Sequence, residues 1–67
     1  MDKQPPKISD EVFEQILAVR NTGEVNMFDI RAVMKVAYGM ELYQLVCFLE
    51  DKKNHKDYLN LILNGER

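Results

Sequence analysis

The central stretch of the chain, residues 26–50, carries a pattern of apolar positions that predicts two consecutive helices. In its first half, apolar residues recur every three or four positions, which places most of them in one stripe along a helix. Asn26 is a favourable N-cap for this helix, and Gly39 would supply the left-handed residue that ends it. A second, mostly apolar helix is then predicted to run from about Met40 or Glu41 to about Lys52. The two stripes consist of Met27, Ile30, Val33, Met34, Ala37 and Tyr38, and of Leu42, Leu45, Val46 and Leu49.

One further helix is predicted on each side of this central pair. Ser9 is a favourable N-cap for the first helix, and the Asn-Thr-Gly sequence at residues 21–23 would end it. Asn54 is expected to cap the last helix, which would run over residues 55–63. Its broad apolar side consists of Tyr58, Leu59, Leu61, Ile62 and Leu63. The apolar run at its end is also compatible with a strand, but the chain offers no second strand candidate to pair with it. The sequence therefore predicts four helices.

The four helices and their short connections predict an all-α fold, a compact bundle of four short helices with a central helix-turn-helix-like hairpin. Residues 1–7, which include two adjacent prolines, are predicted to form a flexible N-terminal arm, and residues 8–67 a single helical domain. A domain of 67 residues buries only about 60% of the surface that its unfolded chain exposes. We therefore expect it to be marginally stable without a partner.

Composition and charge exclude several classes of protein. The net charge of −2 lacks the basic footprint that non-specific binding to nucleic acid needs. A single cysteine, Cys47, leaves no intrachain disulfide and no thiolate cluster, so neither a metal nor another cofactor is expected. No apolar run approaches the ~18 residues of a membrane span, so no membrane association is expected. With no disulfide and no signal peptide in the sequence, we predict a cytoplasmic protein.

Enzymatic activity is not expected. Cys47 and His55 are the only nucleophile and base pair in the sequence, and a working pair must lie within hydrogen-bond reach. Along one continuous helix the two residues would lie ~12 Å apart. A helix break near Asn54 would change that separation, but no third group is placed to orient the histidine. We expect Cys47 to be a small, semi-buried apolar residue instead.

Four apolar residues fall off the predicted core stripes: Phe28, Val36, Tyr43 and Cys47. If they are exposed together, they form a patch of the kind that marks a protein–protein interface. The sequence leaves open that neighbouring helices or the N-terminal arm bury them. We interpret the surplus of apolar positions as an interface, either for a second copy of the chain or for another protein.

The chain has one local basic cluster, which lies at the predicted start of the last helix and consists of Lys52, Lys53, His55 and Lys56. Because a helix N-terminus attracts anions, this cluster and Arg20 are candidates for binding a phosphate, a nucleotide or an acidic surface. The alternative is a solvated turn whose lysines complement the end of the preceding helix. Arg20 would then extend along its apolar stripe to reach the last carbonyls or an acidic group. Small-ligand or nucleotide binding is the second candidate function.

The central hairpin also suggests a DNA-binding helix-turn-helix, which is the third candidate function. Its second helix would then face base edges in the major groove. Of the residues in that helix, only Gln44 suits a base edge, whereas Glu41, Glu50 and Asp51 would face phosphates. We therefore expect a packed helical hairpin and no nucleic-acid partner.

Several segments resemble a family of small proteins from Firmicutes and their phages and prophages, known only as a domain of unknown function. The matching segments are Arg20-Asn21-Thr22-Gly23, Asn26-Met27-Phe28-Asp29, Tyr43-Gln44-Leu45-Val46 and Asn64-Gly65-Glu66. The likeness extends over residues 8–66. It brings no known activity and no known functional residues, but it implies a phage or prophage context.

This implied context and the surplus of apolar positions lead to one predicted function. We expect a small, non-enzymatic protein-interaction module that binds and modulates a protein of the bacterial host, with host defence as one candidate target. We expect it to act as a homo-oligomer in the cytoplasm of the host cell.

Overall fold

Residues 8–65, the part of the chain that the computed structural model describes, form four α-helices and one short 3₁₀ helix. In chain order they are α1 (Asp10–Thr22), α2 (Ile30–Gly39), α3 (Tyr43–Glu50), the 3₁₀ helix (Lys52–Asn54) and α4 (His55–Asn64). This part of the chain contains no strand, so the all-α prediction is confirmed and the apolar run in the last helix is helical. The predicted N-terminal arm, residues 1–7, lies outside the described residues.

Local signals define both ends of α1 as the sequence predicted. The Ser9 hydroxyl accepts a hydrogen bond from the Val12 N–H (3.2 Å), which satisfies one of the donors that the first helical turn leaves free. Gly23 follows the helix with a φ of 67° and donates its N–H to Arg20 O. A glycine suits this position because it has no Cβ to clash at positive φ.

The start of α2 differs from the prediction, since Asp29 and not Asn26 is its N-cap. The Asp29 carboxylate accepts a hydrogen bond from the Ala32 N–H at 3.2 Å. Asn26 caps a separate turn just before the helix, where its side-chain oxygen accepts from the Phe28 N–H and its carbonyl accepts from the Asp29 N–H. Asn and Asp both bond to backbone two or three residues ahead, so the sequence alone does not choose between them.

Gly39 does not supply the left-handed residue between α2 and α3, which corrects its predicted role. It is the last residue of α2, and the positive φ, 63°, belongs to Glu41. The Glu41 N–H donates to Tyr38 O (3.1 Å), and the Leu42 N–H donates to Ala37 O (2.8 Å). These two bonds form a Schellman motif, in which the left-handed residue follows the last helical residue by two positions.

The N-terminal end of α3 is capped by a side chain from another helix. Leu42 precedes α3 and makes no side-chain cap bond. Gln15 of α1 takes that role, because its Oε1 accepts a hydrogen bond from the Leu45 N–H at 2.8 Å. Gln15 Nε2 also donates to Gln44 Oε1, and Gln44 Nε2 donates to a carboxylate oxygen of Glu11 at 2.7 Å. This polar chain fixes α1 against the first turn of α3.

The junction between α3 and α4 also differs from the prediction. Asn54 makes no cap bond to α4, and its Nδ2 donates instead to Phe48 O at 2.9 Å. His55 Nε2 lies 2.7 Å from Leu49 O and donates to it. Both side chains therefore satisfy carbonyls at the C-terminal end of α3, which lack helical partners. α3 ends at Glu50, earlier than the predicted end near Lys52.

The core takes side chains from all four helices, and α3 packs against both α1 and α2. Its buried members are Ile8, Val12, Ile16, Val19, Val33, Ala37, Leu45, Leu49, Tyr58 and Leu61. Tyr58 is the largest of them, and its hydroxyl donates to Met27 O at 2.6 Å. This bond ties α4 to the connection between α1 and α2. Burial raises the pKa of the Tyr58 hydroxyl to about 12.

Three residues depart from the predicted core stripes. Tyr38 and Leu63 were expected to face the core, but both are exposed. Each lies in the last turn of its helix. The apolar stripe continues into that turn, but the neighbouring helices do not cover it. Val36 was expected off the core, yet it packs partly buried against it.

Candidate functional site

An exposed pair of tyrosines lies at the turn between α2 and α3. The rings of Tyr38 and Tyr43 meet edge to face, with centroids 5.7 Å apart and an interplanar angle of 72°. Tyr38 is 64% exposed and Tyr43 is 51% exposed. The Schellman turn brings them together because it reverses the chain between the last turn of α2 and the first residue of α3. Two large rings are thereby held at the surface in a favoured aromatic geometry.

Shallow grooves flank α3 on both sides. The groove on the α1 side is lined by Val12, Glu41, Tyr43, Gln44, Cys47 and Phe48. The groove on the α2 side is lined by Arg31, Met34, Lys35, Tyr38 and Val46. These residues together are called the α3 surface below. The tyrosine pair joins the two grooves, because each tyrosine lines one of them.

The two sides of the α3 surface carry opposite charge. Arg31 and Lys35 are exposed on the α2 side. Glu41 is exposed on the α1 side, where Gln44 also holds the carboxylate of Glu11. The strip between these edges is formed by the tyrosines and their apolar neighbours. A mostly apolar centre within a charged rim is the usual anatomy of a protein interface.

The structure brings together two of the four predicted interface residues. Tyr43 and Cys47 lie one turn apart on the exposed side of α3. Phe28 is 54% exposed, but it precedes α2. The axis of α2 from its first residue to Tyr38 is about 12 Å long, so Phe28 and Tyr38 lie at opposite ends of the helix. Val36 is half-buried and lies on the opposite flank of α2 from Tyr38. Phe28 and Val36 therefore do not belong to the α3 surface.

Tyr38 is the residue of this surface that the sequence pattern missed. It falls on the predicted core stripe, so its periodicity alone indicates burial. Its position in the last turn before a chain reversal indicates exposure instead. A tyrosine there can place its ring at the edge of the core and leave its hydroxyl in water. Met34 and Val46, also predicted as core, are half-buried and line the groove on the α2 side.

The predicted basic cluster does not form a single site with Arg20. Its three lysines are exposed in or near the 3₁₀ helix: Lys52, Lys53 and Lys56. The fourth member, His55, is engaged with the carbonyl of Leu49. Arg20 lies beside the other end of α4, where it lines a cleft with Gly65. The ten residues of α4 span about 15 Å, so one small ligand does not contact Arg20 and the lysines together.

The cleft beside Arg20 lies between α1 and α4 and has a volume of about 430 Å³. Its apolar lining residues are Phe13, Ile16, Leu17, Met27, Leu61, Ile62 and Leu63. Both α1 and α4 end at this cleft, and the C-terminal end of a helix carries partial negative charge. Arg20 is therefore placed to complement the helix ends, which disfavours an anionic ligand there.

The structure places the side chains of Cys47 and His55 in different surroundings. Cys47 is exposed on the α3 surface and not semi-buried as predicted, whereas the His55 ring donates to Leu49 O. Within residues 8–65, no three His, Cys, Asp or Glu side chains are grouped closely enough to hold a metal ion. None of the helices formed by these residues has the length and apolar character needed to cross a bilayer.

Comparison with known proteins identifies the family of the chain. No curated protein and no solved structure shows a significant match to it. A family model described as a domain of unknown function, DUF5049, matches residues 8–66, a range that includes all four helices. The resemblance predicted from the sequence is thus confirmed at the level of the family. The chain belongs to the DUF5049 family.

Proposed function

We propose that this protein is a small, non-enzymatic interaction module that associates with other protein chains through the α3 surface. The observation that carries the proposal is the exposed pair of Tyr38 and Tyr43 between two grooves. A contiguous apolar patch with a polar rim marks an interaction site on a soluble protein. Tyrosine contributes strongly at such sites, because it buries a large ring while losing few side-chain torsions.

The proposed module works as a homo-oligomer. A chain of 67 residues forms only a small core, and association is one of the ways in which such domains gain stability. Covering the α3 surface would remove the tyrosine rings and the groove-lining side chains from water, which contributes about 25 cal/mol for each Å² of apolar area. Binding that favours the folded chain in this way raises its stability by mass action.

The proposed target of the module is a protein of a bacterial host. This part of the proposal rests on the likeness of the chain to small proteins of Firmicutes phages and prophages. A protein of this size acts most directly by occupying a surface on a host factor, and host defence is one class of such factors. The cytoplasm of the host cell is the proposed location.

DNA binding and small-ligand binding receive less support from the geometry. Gln44, the one side chain of α3 suited to a base edge, is held by Gln15 and Glu11 of α1. A nucleotide would need the lysines and Arg20 in one place, but they lie at opposite ends of α4. His55 is likewise committed to a backbone carbonyl. Protein association remains the function that the arrangement of side chains supports best.

A charged substitution within the α3 surface tests this proposal. Tyr43→Glu places a carboxylate at its centre, and we expect it to abolish association while the chain stays folded. Leu63→Glu is a matched control, because Leu63 is 72% exposed on α4 and lines the separate cleft beside Arg20. Phe28→Glu is a second control at an exposed aromatic residue outside the α3 surface. Sedimentation velocity measures association, and circular dichroism measures folding.

Loss of association in Tyr43→Glu alone supports the proposal. Unfolding of Tyr43→Glu would show that the ring is part of the core and would remove the basis of the proposal. Equal dissociation by Leu63→Glu or Phe28→Glu would show that the α3 surface is not the interface.

A further inference from the structure

We infer that the cleft between α1 and α4 binds an uncharged, mostly apolar small molecule. Among residues 8–65, none lines both this cleft and the α3 surface, so the inference does not depend on the proposed function. The ligand class also differs from the anionic ligands considered above, which Arg20 and the lysines would have to bind together. The inference rests on the shape, the size and the charge of the cleft.

The cleft is concave and reaches the hydrophobic core. Ile16 of α1 and Leu61 of α4 line it and are buried. Leu63 and Arg20 line it and are exposed, so they lie at its rim. Between floor and rim, the half-buried lining side chains are those of Phe13, Leu17, Met27 and Ile62. A concave, mostly apolar site with few polar groups is the usual form of a small-molecule site.

The size and lining of the cleft suit an alkyl chain or a ring. Its volume of about 430 Å³ lies within the range of about 300–1,000 Å³ that is typical of small-molecule sites. A cavity of only about 150 Å³ lined by leucine, isoleucine and phenylalanine excludes water and binds benzene. The same residue types line this cleft, which therefore favours apolar groups over water.

The charges around the cleft select an uncharged ligand. Among the described residues that line it, Arg20 alone carries a charge, and this charge opposes a cation. The C-terminal ends of α1 and α4 lie at the same cleft and carry partial negative charge, which opposes an anion. An ion of either sign would also lose hydration on entering an apolar site. An uncharged ligand avoids both penalties.

The polar side chains at the rim indicate where a polar group of the ligand would lie. The Arg20 guanidinium donates hydrogen bonds, and the Asn64 amide both donates and accepts them. A hydroxyl or carbonyl oxygen at one end of the ligand can accept from either side chain while its apolar part contacts the floor. This chemistry is that of a medium-chain alcohol or ketone, for which 1-octanol is a suitable probe.

Titration of the isotopically labelled wild-type protein with 1-octanol, followed through its amide NMR shifts, tests the site. We expect saturable shifts concentrated in residues 13–20 and 61–65. Octanoate and octylammonium carry the same alkyl chain with opposite charges, and each is expected to bind at least about ten-fold more weakly. Equal or tighter binding of either ion would overturn the uncharged ligand class. Shifts that do not saturate, or that are largest at Tyr43 and Cys47, would overturn the cleft as the site.

Filling the cleft tests the position of the ligand. Leu17→Trp adds a larger apolar side chain without changing the charge, and we expect it to weaken 1-octanol binding at least about ten-fold. Leu63→Glu is a second variant at the exposed rim and should also weaken binding if Leu17→Trp does not fold. Phe28→Trp is the control, because Phe28 is exposed and lies outside the cleft. Unchanged binding by the folded cleft variants would overturn the inference.

Arg20→Gln tests the charge argument, because it removes the cation and keeps a hydrogen-bond donor. The helix ends then favour a cation, so octylammonium binding is expected to strengthen at least about three-fold, while 1-octanol binding changes little. An unchanged affinity for octylammonium would overturn the role of Arg20 in selecting an uncharged ligand.

Failure of this inference and failure of the proposed function give different results. Tyr43→Glu is expected to bind 1-octanol as the wild type does, because Tyr43 lines the α3 surface and not the cleft. A protein that binds 1-octanol but does not associate contradicts only the proposed function. A protein that associates through the α3 surface but does not bind 1-octanol contradicts only the inferred ligand site.

Discussion

Gln15 Oε1 of α1 accepts a hydrogen bond from the Leu45 N–H in the first turn of α3, at 2.8 Å. Because Leu42 makes no side-chain cap bond, this contact between two helices satisfies a donor that α3 would otherwise leave free. We expect Gln15→Ala to lower the free energy of unfolding by about 1–2 kcal/mol, as loss of a cap does. Urea unfolding followed by circular dichroism measures this change.

The neighbouring substitution Glu14→Ala is the control for Gln15→Ala. Glu14 is exposed on α1, so its removal is expected to change the free energy of unfolding by no more than about 0.5 kcal/mol. Equal effects of the two substitutions would show that Gln15 does not act as a cap for α3.

Gly39→Ala is expected to stabilise the protein. Gly39 is helical, and a Cβ added there meets nothing within 4 Å. Replacing a helical glycine by alanine typically gains about 0.5–1 kcal/mol, because the unfolded chain loses conformational freedom. Gly23→Ala is the contrast, since Gly23 has a φ of 67° and alanine is strained there. The midpoint of thermal unfolding should be higher for Gly39→Ala and lower for Gly23→Ala than for the wild type. A destabilised Gly39→Ala would contradict the assigned turn.

Glu41→Gly tests the same turn from its other end. Glu41 has a φ of 63°, in the left-handed region that costs a residue with a Cβ roughly 1 kcal/mol. Glycine removes this cost, so we expect a small gain in the free energy of unfolding. The gain is partly offset, because glycine also increases the entropy of the unfolded chain. A loss of more than about 1 kcal/mol would contradict the left-handed assignment.

Ionisation of Tyr58 should make the stability fall in strongly alkaline solution. Burial raises the pKa of its hydroxyl to about 12, whereas a tyrosine in the unfolded chain ionises near 10. Below pH 10 the hydroxyl is protonated in both states and contributes no pH dependence. Between pH 10 and pH 12 the unfolded state loses this proton first, so the free energy of unfolding falls by about 1.4 kcal/mol per pH unit.

Tyr58→Phe is the matched variant for this pH dependence. It removes the ionisable hydroxyl and also its bond to Met27 O, so we expect a loss of about 1–2 kcal/mol at neutral pH. Between pH 10 and pH 12 the stability advantage of the wild type over the variant should shrink to zero and then reverse, because the fall of about 1.4 kcal/mol per pH unit exceeds the initial difference over two units. Parallel curves for the two proteins across this range would contradict the raised pKa of Tyr58.

Sequence patterns predicted the features of the fold that depend on residues close together in the chain. The cap of α1 by Ser9 and its end at Gly23 follow from bonds that reach only three residues. The cap of α3 could not be predicted, because its acceptor, Gln15, is 30 positions away from Leu45. Asn54 was assigned to the wrong helix for a similar reason, since its side chain bonds backwards to the end of α3. Tertiary contacts decided these cases.

The candidate site was predicted only in part. Tyr43 and Cys47 were identified correctly as lying off the core stripe of α3, because position around a single helix follows from periodicity alone. Phe28 and Val36 were grouped with them wrongly. Periodicity does not show that Phe28 and Tyr43 lie at different ends of α2, nor that a neighbour half-covers Val36. Tyr38 was missed because the apolar stripe of α2 continues in sequence into the last turn, where the side chains are no longer buried.

The most direct test of the central claim is the solution mass of the wild type and of Tyr43→Glu, measured by light scattering over the same concentration series. The account predicts that the wild-type mass rises from that of the 7.9 kDa chain to twice that value, while the folded variant stays at the mass of one chain. Two identical curves, whether monomeric or dimeric, would contradict association through the α3 surface of this chain with itself.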